Sequence, residues 1–329
     1  MAFRAHAQDG SEAGGGAPSD RRGEWALILA GGDGTRLRPL TRRIAGDERP
    51  KQFCPMLGSE TLLDRTRRRT ALLIPPRRTL LSLTQSHQRF YAPLLADVAP
   101  GSLVVQPANR GTAPAILYGL LRLGLQAPGD PVAIFPSDHF FSDDWAFMAH
   151  VGAAFEAVAA RPDLVILLGV TPDSPEEEYG WIEPADAVLP EEPCPLLRVR
   201  RFWEKPSPPL ARTLLARRCL WNTFVMVGSV AAFLALVRSA VPGLHEAFCR
   251  VRPALGTPGE GEAVRALYAV LPPMNFSDQI LAGSPPNLAV LPVHGVGWSD
   301  WGDSGRVLAA LAQMGIRPAW AEVGAARPA

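Results

Sequence analysis

Residues Gly31-Gly32-Asp33-Gly34-Thr35-Arg36 put three glycines, a hydroxyl and a guanidinium into six consecutive positions. Glycine lets backbone N–H groups approach an anion closely and form a nest, and a guanidinium fork matches the geometry of phosphate. The plain alternative is an ordinary tight turn between strand and helix. No Gly-Lys-Ser/Thr follows, so the run is not a Walker A loop, and it lacks the G-x-G-x-x-G spacing of dinucleotide binders. Asp33, at a variable position of such a loop, is expected to face outward. Fourteen residues past Arg36 begins Pro50-Lys51-Gln52-Phe53. Of 33 Lys plus Arg, only Lys51 and Lys205 are lysines. A chain that uses arginine wherever either cation will serve keeps lysine where a compact ammonium is needed. Lys51 is therefore a candidate for the cation that closes a phosphate loop from its far side, rather than a solvated surface lysine.

Two further runs carry carboxylates. Phe135-Pro136-Ser137-Asp138-His139 stops an apolar run with an acid. Over a phosphate site Asp138 is suited to hold Mg²⁺, a hard ion that prefers carboxylate and phosphate oxygens; the alternative is a helix N-cap. His139 is expected only to orient the turn. Trp298-Ser299-Asp300-Trp301-Gly302-Asp303 offers Asp300 as a second metal carboxylate, provided this late segment returns to the first site, and Asp303 as a helix cap. Tyr179-Gly180-Trp181-Ile182-Glu183, Phe202-Trp203-Glu204-Lys205-Pro206 and Trp221-Asn222-Thr223 combine carboxylate, amide and aromatic residues. That combination suits a ligand with many hydroxyls. Taken singly, each is as readily a polar strand edge or a turn.

The elements that must position these residues follow from periodicity. Trp25–Ala30 reads as a buried parallel strand ending in Gly31-Gly32. Residues 31–41 read as a Gly-rich turn and 61–73 as a helix. Strands are expected at 78–84, 103–106, 131–135 and 164–170, with helices at 112–125 and 145–160. Alternation of this kind predicts a doubly wound α/β sheet, in which ligands bind beyond the carboxyl ends of the strands. The Gly-rich turn, Gln106 and Asp138 all fall just past such ends. Beyond Val170 the pattern shifts to sheet segments at 179–183, 197–204, 220–227 and 288–293, and to helices at 230–238, 245–249 and 307–314. No repeat or long linker divides the chain. The expected organisation is one domain over 23–317, with a first half at 23–170 and a second at 171–317. Tails are expected at 1–22 and 318–329.

Composition excludes several classes. The net charge of +1 supplies no field toward nucleic acid or anionic membrane. No apolar run reaches the roughly 20 residues that span a bilayer, and the first 22 residues lack the apolar core of a secretory signal. Cys54, Cys194, Cys219 and Cys249 lie far apart with no C-x-x-C pair, and are expected to be small buried or half-buried thiols in a reducing cytosol.

The ordered set L-A-G-G-x-G-T-R-L, P-K-Q-F, Q-P-A-N-R-G-T-A-P-A-I, F-P-S-D-H, Y-G-W-I-E, E-K-P, W-N-T and W-S-D-W-G-D, spanning Trp25 to Asp303, resembles the sugar nucleotidyltransferases. It looks most like the bacterial mannose-1-phosphate guanylyltransferases. The resemblance implies a Rossmann-like nucleotide-diphospho-sugar transferase fold, a mixed and mostly parallel sheet flanked by helices. It implies a cytoplasmic enzyme whose partners are small molecules, an NTP and a sugar 1-phosphate, with Mg²⁺ as cofactor and homo-oligomerisation left open. Attack of the sugar phosphate on the α-phosphate, GTP and mannose 1-phosphate being favoured, would give GDP-mannose and pyrophosphate. By motif position, Gly31, Gly32, Gly34, Thr35 and Arg36 would cradle the triphosphate, and Lys51 would neutralise charge near the α-phosphate. Gln106, Gly111 and Thr112 would contact the base. Asp138 and Asp300 would hold Mg²⁺. Gly180, Glu183 and Asn222 would grip the sugar, with Lys205 on its phosphate.

Arg38 stands where many mannose-type members carry Trp. Thr223-Phe224 replaces the commoner Ser-Gly after Trp221-Asn222. Asn275-Phe276-Ser277-Asp278 matches S-I-D only loosely. The chain ends soon after W-S-D-W-G-D, which on this reading leaves no room for an isomerase domain or a β-helix. Thymidylyl or uridylyl transfer to glucose 1-phosphate, guanylyl transfer to another sugar, and a non-catalytic sugar-nucleotide-binding regulatory subunit stay open. An NAD(P)-binding oxidoreductase lacks the glycine spacing.

Overall fold

The computed structural model describes residues 23–189, 195–283, 286–318 and 320. The 1–22 tail, Cys194 and most of 318–329 lie outside the described residues. Nine strands run in chain order: β1 (Trp25–Leu29), β2 (Thr79–Thr84), β3 (Leu103–Gln106), β4 (Pro131–Pro136), β5 (Val165–Val170), β6 (Gly180–Leu189), β7 (Leu196–Glu204), β8 (Leu220–Ser229) and β9 (Leu288–Val293). The α-helices are α1 (Arg38–Ala45), α2 (Leu62–Ala71), α3 (Gln88–Leu94), α4 (Thr112–Gln126), α5 (Asp144–Ala160), α6 (Pro208–Ala216), α7 (Val230–Ala240), α8 (Pro242–Val251), α9 (Glu260–Val270) and α10 (Ser304–Gln313).

All nine strands join one sheet in the order β3-β2-β1-β4-β8-β5-β9-β7-β6. The parallel pairs are β1 with β2 and β4, β2 with β3, and β5 with β9; β8 and β7 pair antiparallel with their neighbours. Strand order reverses between β1 and β4. In an open α/β sheet this switch point leaves a crevice beyond the strand ends. The Gly-rich loop leaves β1 there, and the segment carrying Asp138 leaves β4 there.

The period-two alternation of side chains explains why the strands read as unbroken apolar runs. Leu27, Ile134 and Leu167 pack on one face with Ile116, Phe233, Phe248 and Tyr268, from α4, α7, α8 and α9. Ile28, Phe135 and Leu168 pack on the other with Leu63, Tyr91, Phe147 and Leu214, from α2, α3, α5 and α6. Both faces are covered, so both alternating sets are apolar. Each fully buried Leu, Ile or Phe contributes roughly 1.5–3 kcal/mol, so this double core fixes the frame on which the site is hung. A third cluster joins α1 and α10 through Leu40, Phe140, Trp301, Val307 and Leu311. Phe140 stacks on Trp301 at 4.9 Å between centroids. A short bridge from Phe140 to Ser299 brings the late segment back beside the end of β4.

Candidate active site

The β1 loop is braced from beneath. Gln52 Nε2 donates to the carbonyls of Ala30 and Gly32 at 3.2 and 2.7 Å, and Thr84 Oγ1 donates to Gly31 O at 2.9 Å. These bonds satisfy the carbonyls of Ala30, Gly31 and Gly32 and fix the loop's course. Asp33 does not face outward as expected. Its carboxylate meets His87 Nε2 at 3.0 Å and accepts from Asn109 Nδ2 at 2.8 Å, tying the loops after β1, β2 and β3 together.

Gly111 opens α4 with φ +85°, and a β-carbon there would drive into the Met274 carbonyl. That closeness lets Ala113 N–H donate to Met274 O at 3.1 Å and Thr112 Oγ1 accept from Phe276 N–H at 2.8 Å. Gln106, buried at the end of β3, donates to Ser82 Oγ and Leu83 O and accepts from Tyr268 O–H at 3.1 Å.

Asp138 caps no helix: α5 starts at Asp144, and its N-cap is Asp143, whose side chain accepts from Ala146 N–H. Asp138 instead reaches Lys51 Nζ at 3.2 Å. Lys51, only 7% exposed, also donates to the carbonyls of Asp300 at 2.5 Å and Trp301 at 3.1 Å. All three ammonium protons therefore have acceptors, and one lysine clamps the loop after β4 to the returning 300–301 segment. Asp300 Oδ1 accepts from Gly302 N–H at 2.8 Å and Arg306 Nη1 at 3.0 Å. Burial would raise its carboxyl, but the facing charges of His139, Lys51 and Arg306 bring it below the usual range. Arg306 also reaches Glu176 Oε1 at 2.8 Å and lies over the Tyr179 ring. Burial lowers His139, against the pull of Asp138. Asp303 caps α10 as expected, accepting from Arg306 N–H at 3.0 Å.

Arg36 and Lys205 stand on opposite walls and converge on one oxygen. Glu178 Oε2 lies 3.0 Å from Arg36 Nη1 and 3.4 Å from Lys205 Nζ. Gly180 sits so near the wall that a β-carbon would stand 2.8 Å from the Phe202 ring and 3.0 Å from Glu204 Oε2. Burial and the neighbouring charge of Asp278, opposed by Lys205, push the Glu204 carboxyl up to about 7. Asn222 Oδ1 accepts from Phe224 N–H at 3.1 Å.

The cleft has a volume of about 430 Å³, within the range of roughly 300–1,000 Å³ usual for small-molecule sites. Of the residues read from sequence, Gly31, Gly32, Arg36, Gln106, Gly111, Thr112, Asp138, Gly180, Lys205, Asn222 and Asp300 line it. Gly34 and Thr35 lie behind the wall, with Gly34 against Pro50 and the Lys51 backbone. Glu183 is corrected. Gly180 faces the cleft, so Glu183, three positions along the strand, falls on the other face, where it stands 3.6 Å from Arg217. Glu204 of E-K-P is the carboxylate that lines this part of the wall. Glu178, Gln52, Asn109, Phe224 and Ser277 also line it and were not anticipated. Among the thiols, Cys54 and Cys219 are buried, but Cys249 is exposed, contrary to expectation. No helix among the described residues is long and apolar enough to cross a membrane.

A glycine loop at a sheet switch point, facing two carboxylates and two opposed cations, defines a site for phosphorylated ligands. Residues 25–237 match the family described as Nucleotidyl transferase, and the chain belongs to that family. It is 32% identical over 225 residues to the xanthan biosynthesis protein XanB of Xanthomonas campestris pv. campestris, covering 67% of this chain and 45% of that protein. It is 27% identical over 257 residues to a mannose-1-phosphate guanylyltransferase of Escherichia coli, covering 77% of this chain and 49% of that one. The chain thus spans about half the length of these curated relatives. A crystal structure described as mannose-1-phosphate geranyltransferase, from Thermus thermophilus, superposes with a TM-score of 0.73 at 30% identity, covering 87% of this chain and 79% of that one.

Proposed function

We propose that the chain is a Mg²⁺-dependent sugar-1-phosphate nucleotidyltransferase that favours GTP and mannose 1-phosphate and makes GDP-mannose. The observation that carries this reading is the convergence of Arg36 and Lys205 on a single Glu178 oxygen. That oxygen stands in for a phosphate oxygen held between the nucleotide wall and the sugar wall. The names of the Escherichia coli and Thermus relatives support mannose 1-phosphate as acceptor, and the former supports GTP as donor.

The loop N–H groups and Arg36 bind the triphosphate, and Lys205 binds the acceptor phosphate. An oxygen of that phosphate bonds to the α-phosphorus while the bond to the bridging oxygen breaks, and its electron pair leaves with pyrophosphate. The residues present fit Mg²⁺: Asp138 opens onto the cleft beside Asp300, and both are hard oxygen donors. Asp138 and Asp300 would hold the ion together with substrate phosphate oxygens and water. Bound there, Mg²⁺ supplies neutralisation of phosphate charge. The chain's own share is positioning and fixed charge, with Lys51 holding the two acidic segments in register.

The walls are tested by kinetics of pyrophosphate release. Arg36→Ala is expected to raise KM for the NTP, and Lys205→Ala to raise KM for the sugar 1-phosphate, each about tenfold or more, the loss of a charge-assisted phosphate contact. If neither variant moves either KM, the two-wall assignment is overturned.

A further inference from the structure

Phe224 adopts φ +60°, a left-handed conformation that L-residues with bulky side chains rarely take. It sits in β8 between two register points: Gly169 pairs with Asn222, and Leu167 with Met226. Two steps on β5 thus face four on β8, a bulge of two extra residues. Bulges next to sites re-aim side chains, and strained backbone persists only where its surroundings over-determine it.

Here the surroundings do so. Thr223 Oγ1 donates to Leu168 O at 2.7 Å and accepts from Val225 N–H at 3.2 Å. Asn222 Oδ1 holds the Phe224 N–H, and Thr223 O lies 3.1 Å from His139 Nδ1, on the loop that carries Asp138. The outcome is a phenylalanine that lines the cleft together with Asn222, Gly180 and Glu204 and is partly buried against the core. Glycine would take this φ without strain, so the position keeps phenylalanine at an energetic cost.

We propose that Phe224 is a specificity-determining residue, a steric sieve whose ring closes the sugar end of the cleft against hexose 1-phosphates carrying an N-acetyl group. This rests on the sugar-1-phosphate reading above. A packed apolar wall separates ligands by size, and even one methylene in such a wall discriminates about 10- to 200-fold.

The probes are glucose 1-phosphate and N-acetylglucosamine 1-phosphate, which differ only in the acetamido group, with mannose 1-phosphate as reference. Their ratio is read as pyrophosphate release and, independently, as binding by tryptophan fluorescence. Phe224→Ala and Phe224→Gly are each expected to raise the N-acetylated-to-plain ratio at least about tenfold. An unchanged ratio, or a parallel loss of both sugars, overturns the sieve. Phe224→Leu keeps an apolar filling and should give an intermediate ratio, which serves if the smaller variants do not fold. Phe224→Gly should melt about 2 °C above Phe224→Ala, reversing the usual strand preference, because only glycine relieves the φ; the opposite order overturns the strain that sets the ring in place. Wild-type protein that binds these sugars without releasing pyrophosphate overturns the transfer reading and leaves the binding ratio to judge the sieve. Wild type that binds none overturns both.

Discussion

Glu204 and Glu183 show how one strand position separates a site residue from a structural one. Glu204 shares the cleft with Glu178, Lys205 and Ser277, while Glu183 lies across the sheet beside Arg217. The folded Glu204 carboxyl holds its proton up to about pH 7, whereas the ordinary value for a glutamate is 4.5. Its folded pKa is raised, so the folded chain binds the extra proton between these values. Stability therefore falls as pH rises from about 4.5 to about 7, and the loss is complete above that. The same ionisation adds negative charge beside Lys205, where the acceptor phosphate would dock. We expect KM for the sugar 1-phosphate to rise as pH passes 7, and Glu204→Gln to flatten that rise; a pH profile of KM for wild type and variant checks both. The sequence displayed both glutamates in motifs. Counting by twos from Gly180 is the signal that separates Glu183 from the cleft, but it works only once Gly180 is known to face a ligand.

Lys51 acts between elements rather than at one. Its ammonium joins the turn after Pro50, the loop after β4 and the returning 300–301 segment through three acceptors. A planar guanidinium cannot meet three acceptors arranged around a point. Lys51→Arg is expected to lose about 100-fold in turnover, because a displacement of about 1 Å in the carboxylates suffices for that. It should also destabilise the fold by about 1–3 kcal/mol through unsatisfied buried carbonyls. Steady-state kinetics with thermal melting reads both, and near wild-type turnover would reduce Lys51 to a bystander. The scarcity of lysine singled this residue out in the sequence, and β3 and β9 fall where the apolar runs put them. Helices α1, α3, α6 and α9 were not legible. In α1, Pro39 and a glycine-rich approach disguise the start; α3 carries Pro93 inside it, and α6 begins at a proline pair. Propensity argues against the interior Pro93 of α3, and packing overrides it; the prolines of α1 and α6 fall in the first turn, where the helix tolerates them. The return of Asp300 was likewise invisible, because it depends on the stack of Phe140 on Trp301 rather than on any local pattern.

At the scale of the molecule, one sheet with both faces buried delivers most of the cleft from strand ends and the loops beside them, and Gln52, Asn275 and Ser277 come from segments that follow helices. The β1–β4 switch point supplies the phosphate loop and Asp138, β3 and the start of α4 supply Gln106 and Gly111, and β6, β7 and β8 supply the opposite wall. The order of motifs made the first half readable, since the Gly-rich loop, Gln106 and Asp138 each fall at or after the end of a strand in a parallel array. The second half was harder, because β8 inserts antiparallel between β4 and β5 and carries Asn222 and Phe224 in through a bulge. The most direct test is pyrophosphate release with Mg²⁺ across four NTPs and the 1-phosphates of mannose, glucose, galactose and N-acetylglucosamine. A dominant signal from GTP with mannose 1-phosphate is the expected result. No release from any pair, by folded protein that still binds a nucleotide sugar, would contradict the nucleotidyl-transfer reading.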